Sequence, residues 1–218
     1  MSARASVWGM TEPEPTGAEQ DQPLADRPAS WPVVSSRDVH RDDWVVALRE
    51  DRVTRPGHPG EAFTRISLEH PGAVIVLAVD EQERVMCLRQ YRHTSGHDFV
   101  ELPAGLRDAG DEPAVETARR ELREEAELEA SSWRLLLSSF PSAGISDEVH
   151  EIFLARGLSH APRGDFEMRH EEAEMEAFWV PMAELLDAVL DGRVREGPLA
   201  LAVLSYEVLK QRGTLDEV

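Results

Sequence analysis

Gly105–Leu128 reads GLRDAGDEPAVETARRELREEAEL and closes on Arg120-Glu121-Leu122-Arg123-Glu124-Glu125 followed by Ala126-Glu127-Leu128. At helical spacing Glu125 lies one turn beyond Glu121, and Glu124 shares that face. Three carboxylates so placed repel one another and weaken a helix. A divalent cation reverses that effect, because hard ions such as Mg²⁺ take clustered oxygen ligands and clamp pyrophosphates. The competing reading is a solvated acidic face with Arg119, Arg120 and Arg123 as surface partners. What flanks the helix decides between the two.

Upstream, Glu101-Leu102-Pro103-Ala104-Gly105 interrupts an apolar, strand-like approach. Glycine admits a turn at positive φ and leaves room close to the chain. Asp111 reads as the N-cap, with Glu112 and Pro113 in the first turn. Val115, Ala118, Leu122 and Ala126 recur at spacings of three and four, which gives one apolar stripe for a core. This unit resembles the signature of the Nudix hydrolases: Gly, five residues, Glu, seven residues, Arg-Glu, apolar, any, Glu-Glu, any, Gly, apolar. Counted from Glu112, the positions Arg120, Glu121, Leu122, Glu124, Glu125 and Leu128 all match. Two departures stand out: six residues separate Gly105 from Glu112, and Glu127 replaces the last glycine. A glutamate held in a left-handed conformation there costs on the order of 1 kcal/mol. No metal-binding position is lost.

Four further segments are similar to the ADP-ribose pyrophosphatase branch of that family. They are Arg89-Gln90-Tyr91-Arg92, Gly144-Ile145-Ser146-Asp147-Glu148, the acidic loop His170-Glu171-Glu172-Ala173-Glu174-Met175, and Gly192-Arg193-Val194 with Pro198-Leu199. Together with the signature they cover about residues 70 to 210. A proline associated with this substrate class is missing: Ala143 stands there, with Pro141 two residues early. That weakens the choice of ADP-ribose over other substrates.

The resemblance implies an α/β fold, a Nudix α/β/α sandwich around a mixed sheet, with a small N-terminal antiparallel β-sheet region. It implies Mg²⁺, with Mn²⁺ as a substitute, held by Glu121, Glu124, Glu125 and the carbonyl of Ala104. Arg120 would orient Glu124, and Glu112 would support the loop. The general base would come from the acidic loop; of Glu171, Glu172 and Glu174, register with the family selects Glu172. Arg92 would contact the pyrophosphate or the terminal ribose, since a guanidinium bridges phosphate oxygens with two hydrogen bonds. Glu101 would lie near the ligand, and Ser146, Asp147 and Glu148 would close over the terminal ribose. The bland alternatives are a loop cap for Glu101, an ordinary turn for Ser146–Glu148 and a surface loop for Glu171–Glu174. Tyr91 and Phe99 read as core before they read as adenine-stacking rings.

The activity implied is hydrolysis of the pyrophosphate bond of ADP-ribose to AMP and ribose 5-phosphate. The first alternative is another nucleoside diphosphate sugar, such as GDP-mannose, which Ala143 keeps open. The second is an ADP-ribose sensor without turnover. A pure sensor has no need of a charge-repelling carboxylate cluster, which speaks against it.

Composition agrees with this reading. A chain of 218 residues, 41 % of them hydrophobic, is long enough for one good core and an appendage. A formal charge of −19 repels nucleic acid and acidic membrane surfaces, so neither is expected as a partner. Cys87 is the single cysteine, sits in an apolar run and reads as core rather than nucleophile. No run spans a bilayer and no signal peptide is evident, so a cytoplasmic protein is expected.

Three regions are expected along the chain. Residues 1–33, acidic and proline-rich, read as a disordered tail in which Trp8 and Trp31 are the odd notes. Residues 34–70 read as short strands, among them Asp43–Arg49 and Phe63–Leu68 around the breaker Pro56–Gly60. A piece that small cannot bury its own core, and the resemblance implies a homodimer built on it. Residues 71–218 form the hydrolase domain. Its strands are expected at Ala73–Val79, Arg84–Tyr91, Trp133–Leu137, Val149–Ala155 and Ala177–Val180, and its last helices at Met182–Leu190 and Leu199–Lys210.

Overall fold

The structure, a computed structural model, describes residues 24–164, 166–168 and 173–215. Ala73-Val74-Ile75-Val76-Leu77-Ala78 forms β4 (Ala73–Ala78), and the five residues after Ala73 are buried. The period of two sorts its side chains into two cores. Ile75, Leu77 and Val79 face one with Val85, Cys87, Leu199, Val203 and Tyr206. Val74, Val76 and Ala78 face the other with Met86, Ala118 and Leu122. A strand apolar on both faces must be covered twice, and this division makes the α/β/α layering.

β4 pairs antiparallel with β7 (Ala104–Leu106) and parallel with β9 (His150–His160), which pairs antiparallel with β8 (Leu128–Ser139). The result is a mixed sheet of order β7-β4-β9-β8. A second sheet of order β10-β5-β6 joins β10 (Glu176–Pro181), β5 (Arg84–Arg92) and β6 (His97–Glu101). Helix α1 (Ala114–Ala126) supplies Ala118 and Leu122 to one core. Helices α2 (Met182–Leu190) and α3 (Gly197–Gln211) supply Met182, Leu185, Leu199, Val203 and Tyr206 to the other. Cys87 is fully buried in β5, and burial pushes its thiol up to about 12, so it is a core residue and no nucleophile.

The N-terminal strands β1 (Val33–His40), β2 (Ala47–Thr54) and β3 (Ala62–Glu69) form a separate antiparallel sheet, order β1-β2-β3. The expected strand Asp43–Arg49 starts late, at Ala47, because the Asp42 carboxylate accepts the Trp44 N–H at 2.9 Å and bends the chain first. Trp31, within the expected tail, packs edge-to-face on Phe63 with ring centroids 6.1 Å apart. Residues 1–23 of that tail, Trp8 included, lie outside the described residues.

At the ends of α1 one expectation is corrected and one holds. Asp111 is not the N-cap: that place falls to Pro113 (φ −59°, ψ 137°), which makes no side-chain cap. Proline forces Glu112 out of the helical region, and Pro113 itself is extended at ψ 137°, so the helix opens at Ala114. At the other end Glu127 is indeed left-handed, φ 53° and ψ 40°, and its N–H caps the carbonyls of Arg123 and Leu122.

Candidate active site

The chain leaves β6 at Glu101 and crosses to the mixed sheet through Leu102 and Pro103. The Pro103 carbonyl accepts the Val76 N–H at 2.8 Å, which fixes the crossing against β4. Ala104 and Gly105 then run in β7, opposite Ile75 and Val74. The Ala104 N–H donates to Glu125 Oε2 at 2.9 Å, so α1 is tied to this backbone through a carboxylate. Gly105 is not among the glycines with positive φ. Its expected turn is therefore corrected to a need for space: a Cβ there would overlap the Glu121 carboxylate. Glu121 and Glu125 are both buried, each about 8 % exposed, which is unusual for charged side chains and marks them off from a solvated face.

Arg120 runs back along α1. Its Nη1 lies 2.8 Å from Glu121 Oε1 and 3.3 Å from Glu124 Oε2, and its Nη2 lies 3.9 Å from Glu112 Oε2. Burial pulls the Arg120 pKa down, but Glu121, Glu124 and Glu112 together hold it above its ordinary value. The guanidinium offsets the repulsion between the carboxylates and orients Glu124, as expected, and Glu121 as well. Glu112 accepts the Thr117 hydroxyl at 2.8 Å and so braces the loop against the first turn of α1.

Whether these residues suit a divalent ion is a question of donors and placement. The donors are carboxylate oxygens, the class that Mg²⁺ prefers. Two of them are docked on the Ala104–Gly105 backbone. Among the described residues no group of three or more Asp, Glu, His or Cys side chains converges as a ready cage. The donor set fits Mg²⁺ in kind, with the side chains drawn toward Arg120 and the Ala104 N–H rather than toward one common point.

On the other side of Glu101 stands Arg92, at the end of β5. Its Nε lies 2.9 Å from Glu101 Oε1 and its Nη2 2.5 Å from Oε2, a fork-to-fork pair. Glu101 is buried while the Arg92 side chain is half exposed. The Arg92 pKa is raised, first by its hydrogen bond to Glu101, then by the charges of Glu101, Glu125 and Glu196. Glu196, absent from the sequence expectations, caps α3: its Oε2 accepts the Leu199 N–H at 2.7 Å. Burial raises its pKa to about 7, with Glu101 adding to the rise and Leu199 and Arg92 opposing it. The signal that could have found it is a glutamate two residues before a proline at a helix start, an N-terminal pattern.

The loop Ser146–Glu148 is engaged elsewhere. Ser146 donates its hydroxyl to the Leu68 carbonyl at 3.2 Å and accepts the Glu148 N–H at 3.1 Å. Asp147 accepts the His70 N–H at 2.9 Å, and Glu148 pairs with His150 Nε2 at 2.8 Å. These contacts fasten β3 to the start of β9. Glu171 and Glu172 lie outside the described residues, and Glu174 is exposed. Tyr91, expected in the core, is 42 % exposed because it closes an edge hairpin, and Phe99 stacks on His97 at 5.4 Å. A groove of about 580 Å³ runs beside α1, lined among others by Arg119, Arg120, Arg123, Glu124, Trp133 and Arg163. Arg92 and Glu101 do not line it.

Known proteins share this sequence pattern and this fold. The NUDIX domain profile matches residues 69–200. An ADP-ribose pyrophosphatase of Mycobacterium tuberculosis is 44 % identical over 81 % of this chain and 83 % of its own length. A GDP-mannose pyrophosphatase of Escherichia coli is 30 % identical over 77 % of this chain and 86 % of its own length. The solved structure of an ADP compounds hydrolase superposes with a TM-score of 0.69 at 19 % identity, covering 87 % of this chain and all of that one, which shows the shared fold. With profile, relatives, fold and a buried carboxylate helix in agreement, the chain belongs to the Nudix family and is a Nudix hydrolase.

Proposed function

We propose that the protein hydrolyses the pyrophosphate bond of ADP-ribose, giving AMP and ribose 5-phosphate. The observation that carries this reading is the 44 % identity to an ADP-ribose pyrophosphatase over most of both chains. The docking of Glu121 and Glu125 on Ala104 and Gly105 supports the hydrolytic part. Glu121, Glu124, Glu125 and the Ala104 carbonyl would hold Mg²⁺, with Mn²⁺ as substitute. When bound, such an ion neutralises phosphate charge and makes a water more acidic.

The chain's own residues do the rest. Arg92 leaves part of its hold on Glu101 and bridges two phosphate oxygens. Glu101 and the loop Ser146, Asp147 and Glu148 bound the ribose side of the ligand. Glu172 takes the proton of the attacking water. The water oxygen bonds to one phosphorus, the bridging P–O bond breaks, and the leaving phosphate keeps the electron pair. Arg120 keeps Glu121 and Glu124 in place throughout.

A second reading is favoured by Ala143, where the branch has proline, and by the GDP-mannose pyrophosphatase relative. It replaces ADP-ribose by another nucleoside diphosphate sugar with the same site. The test is AMP release from ADP-ribose at saturating Mg²⁺ by the wild type, Glu125→Gln and Glu172→Gln. Turnover by the wild type with loss in both variants supports the reading. Activity retained in Glu172→Gln alone moves the base to Glu171 or Glu174. No turnover by the wild type sinks ADP-ribose and points to GDP-mannose. The N-terminal sheet would serve a homodimer, and a cytoplasmic setting suits the single reduced cysteine.

A further inference from the structure

We propose that the groove between α1 and β8 is a second ligand site, built for a phosphate monoester joined to a flat ring, as in a nucleoside monophosphate. Such a site lies outside the catalytic carboxylates and does not depend on which nucleotide sugar the enzyme cleaves.

The groove measures about 580 Å³, within the roughly 300–1,000 Å³ typical of small-molecule sites. Four guanidiniums line it, those of Arg119, Arg120, Arg123 and Arg163, in a chain whose formal charge is −19. Arg119 and Arg123 stand one turn apart on α1, so two like charges share a face at a cost to the helix. Arg163 joins them from the segment after β9. That segment is fastened to α1 twice: the Ala161 N–H donates to the Glu127 carbonyl at 2.9 Å, and Arg123 Nε donates to the Pro162 carbonyl at 2.8 Å. The wall of the groove is therefore fixed before any ligand arrives.

The donors in it are underused. Among the described residues no carboxylate pairs with Arg123, which is held by the Pro162 carbonyl alone. The Arg163 Nε is buried without a hydrogen bond, and the Glu127 carboxylate stops 3.6 Å from it. Arg119 Nε lies 3.6 Å from Glu116, beyond hydrogen-bond range. Arg120 differs: Glu121 and Glu124 hold it, so it borders the groove without joining the anion site. Glu129, the other carboxylate of the groove, accepts the Ser159 hydroxyl at 3.1 Å. A phosphate dianion brings acceptor oxygens to Arg119, Arg123 and Arg163 and relieves the repulsion among them.

Trp133 supplies the ring contact. Its Nε1 donates to the Ala130 carbonyl at 3.0 Å, which fixes the indole plane, and the Arg119 guanidinium lies 5.6 Å from the ring centroid. An indole face that receives this planar cation can receive a base, with Arg119 turning to the phosphate.

AMP carries both features and serves as the probe, with inorganic phosphate for comparison. In metal-free protein AMP should quench tryptophan fluorescence, and Trp133→Phe should abolish the quenching. Quenching that survives in Trp133→Phe overturns the ring contact, as does inorganic phosphate that binds as tightly as AMP. By calorimetry, Arg163→Ala and Arg119→Ala should each weaken AMP binding about tenfold, while Arg92→Ala leaves it unchanged. Wild-type affinity in both Arg163→Ala and Arg119→Ala overturns the groove site. Loss of binding in Arg92→Ala alone places AMP among the catalytic residues and overturns it as well.

Discussion

Glycine 105 shows how one missing methyl group positions a charge. Its neighbour across the gap is the Glu121 carboxylate, and a Cβ would occupy the same volume. Gly105→Ala should push Glu121 off the β7 backbone, at a cost of about 1–3 kcal/mol in stability for overpacking. It should weaken Mg²⁺ activation about tenfold, read as the Mg²⁺ concentration for half-maximal rate. Glu125→Gln keeps the shape and the acceptor for the Ala104 N–H but removes a charge. Turnover should fall on the order of a hundredfold or more, with the fold unchanged by circular dichroism. The carboxylates Glu121, Glu124 and Glu125 were legible because a helix repeats every 3.6 residues and their spacing declares a shared face. Glu196 was not, because its partial burial comes from the packing of α3 on β6, which no local period records. Nor does the sequence tell that Gly105 is required for volume rather than for φ.

The ends of α1 and α3 carry the element-scale consequences. Glu127 caps α1 in a left-handed conformation at φ 53°, where glycine is at no disadvantage. Its ion pair with Arg163, 3.6 Å apart with the Glu127 side chain 43 % exposed, is worth little. Glu127→Gly should therefore raise unfolding free energy by about 1 kcal/mol in urea titrations, without changing kcat. At α3 the cap titrates. The folded-state pKa of Glu196 is raised to about 7 from an ordinary 4.5, so its protonated form favours the fold. The stability it lends is complete below pH 4.5 and lost as pH rises through 7. Glu196→Gln should match the wild type near pH 4.5 and be the more stable of the two at pH 8, by at most about 3 kcal/mol. Equal stabilities at pH 8 would refute the assignment. The stripe Val115, Ala118, Leu122 and Ala126 announced α1 because burial and period coincide there. Its start is less legible, because Asp111 carries a capping side chain while the extended backbone of Pro113, ψ 137°, delays the helix to Ala114.

At the scale of the whole molecule the N-terminal sheet is the part least able to stand alone. β1 is exposed along its full length, and Val33, Val34, Val39, Trp44 and Ile66 present large apolar side chains to solvent. The sheet is joined to the hydrolase domain near Leu68, whose N–H donates to the Ile145 carbonyl at 2.7 Å and whose carbonyl accepts from Ser146 and Asp147. A three-stranded sheet needs an apolar face covered to be stable in water. Exposed apolar side chains on a surface otherwise rich in charge support the homodimer proposed above. A second copy can bury it symmetrically, and the loop Ser146–Glu148, fastened to β3, would then sense assembly directly. The expected solution mass is therefore twice the 24.4 kDa chain. Sedimentation velocity at micromolar protein should show it, and Val39→Asp with Trp44→Asp should shift the equilibrium toward monomer by tenfold or more, since each buried side chain of that size contributes about 1.5–3 kcal/mol. If Ser146–Glu148 shapes the ribose side of the site, the monomeric variant should also show a raised KM for ADP-ribose at unchanged Mg²⁺ dependence. A wild type that sediments as a monomer at every concentration would leave the apolar face of the sheet without its second copy and remove the link between assembly and binding.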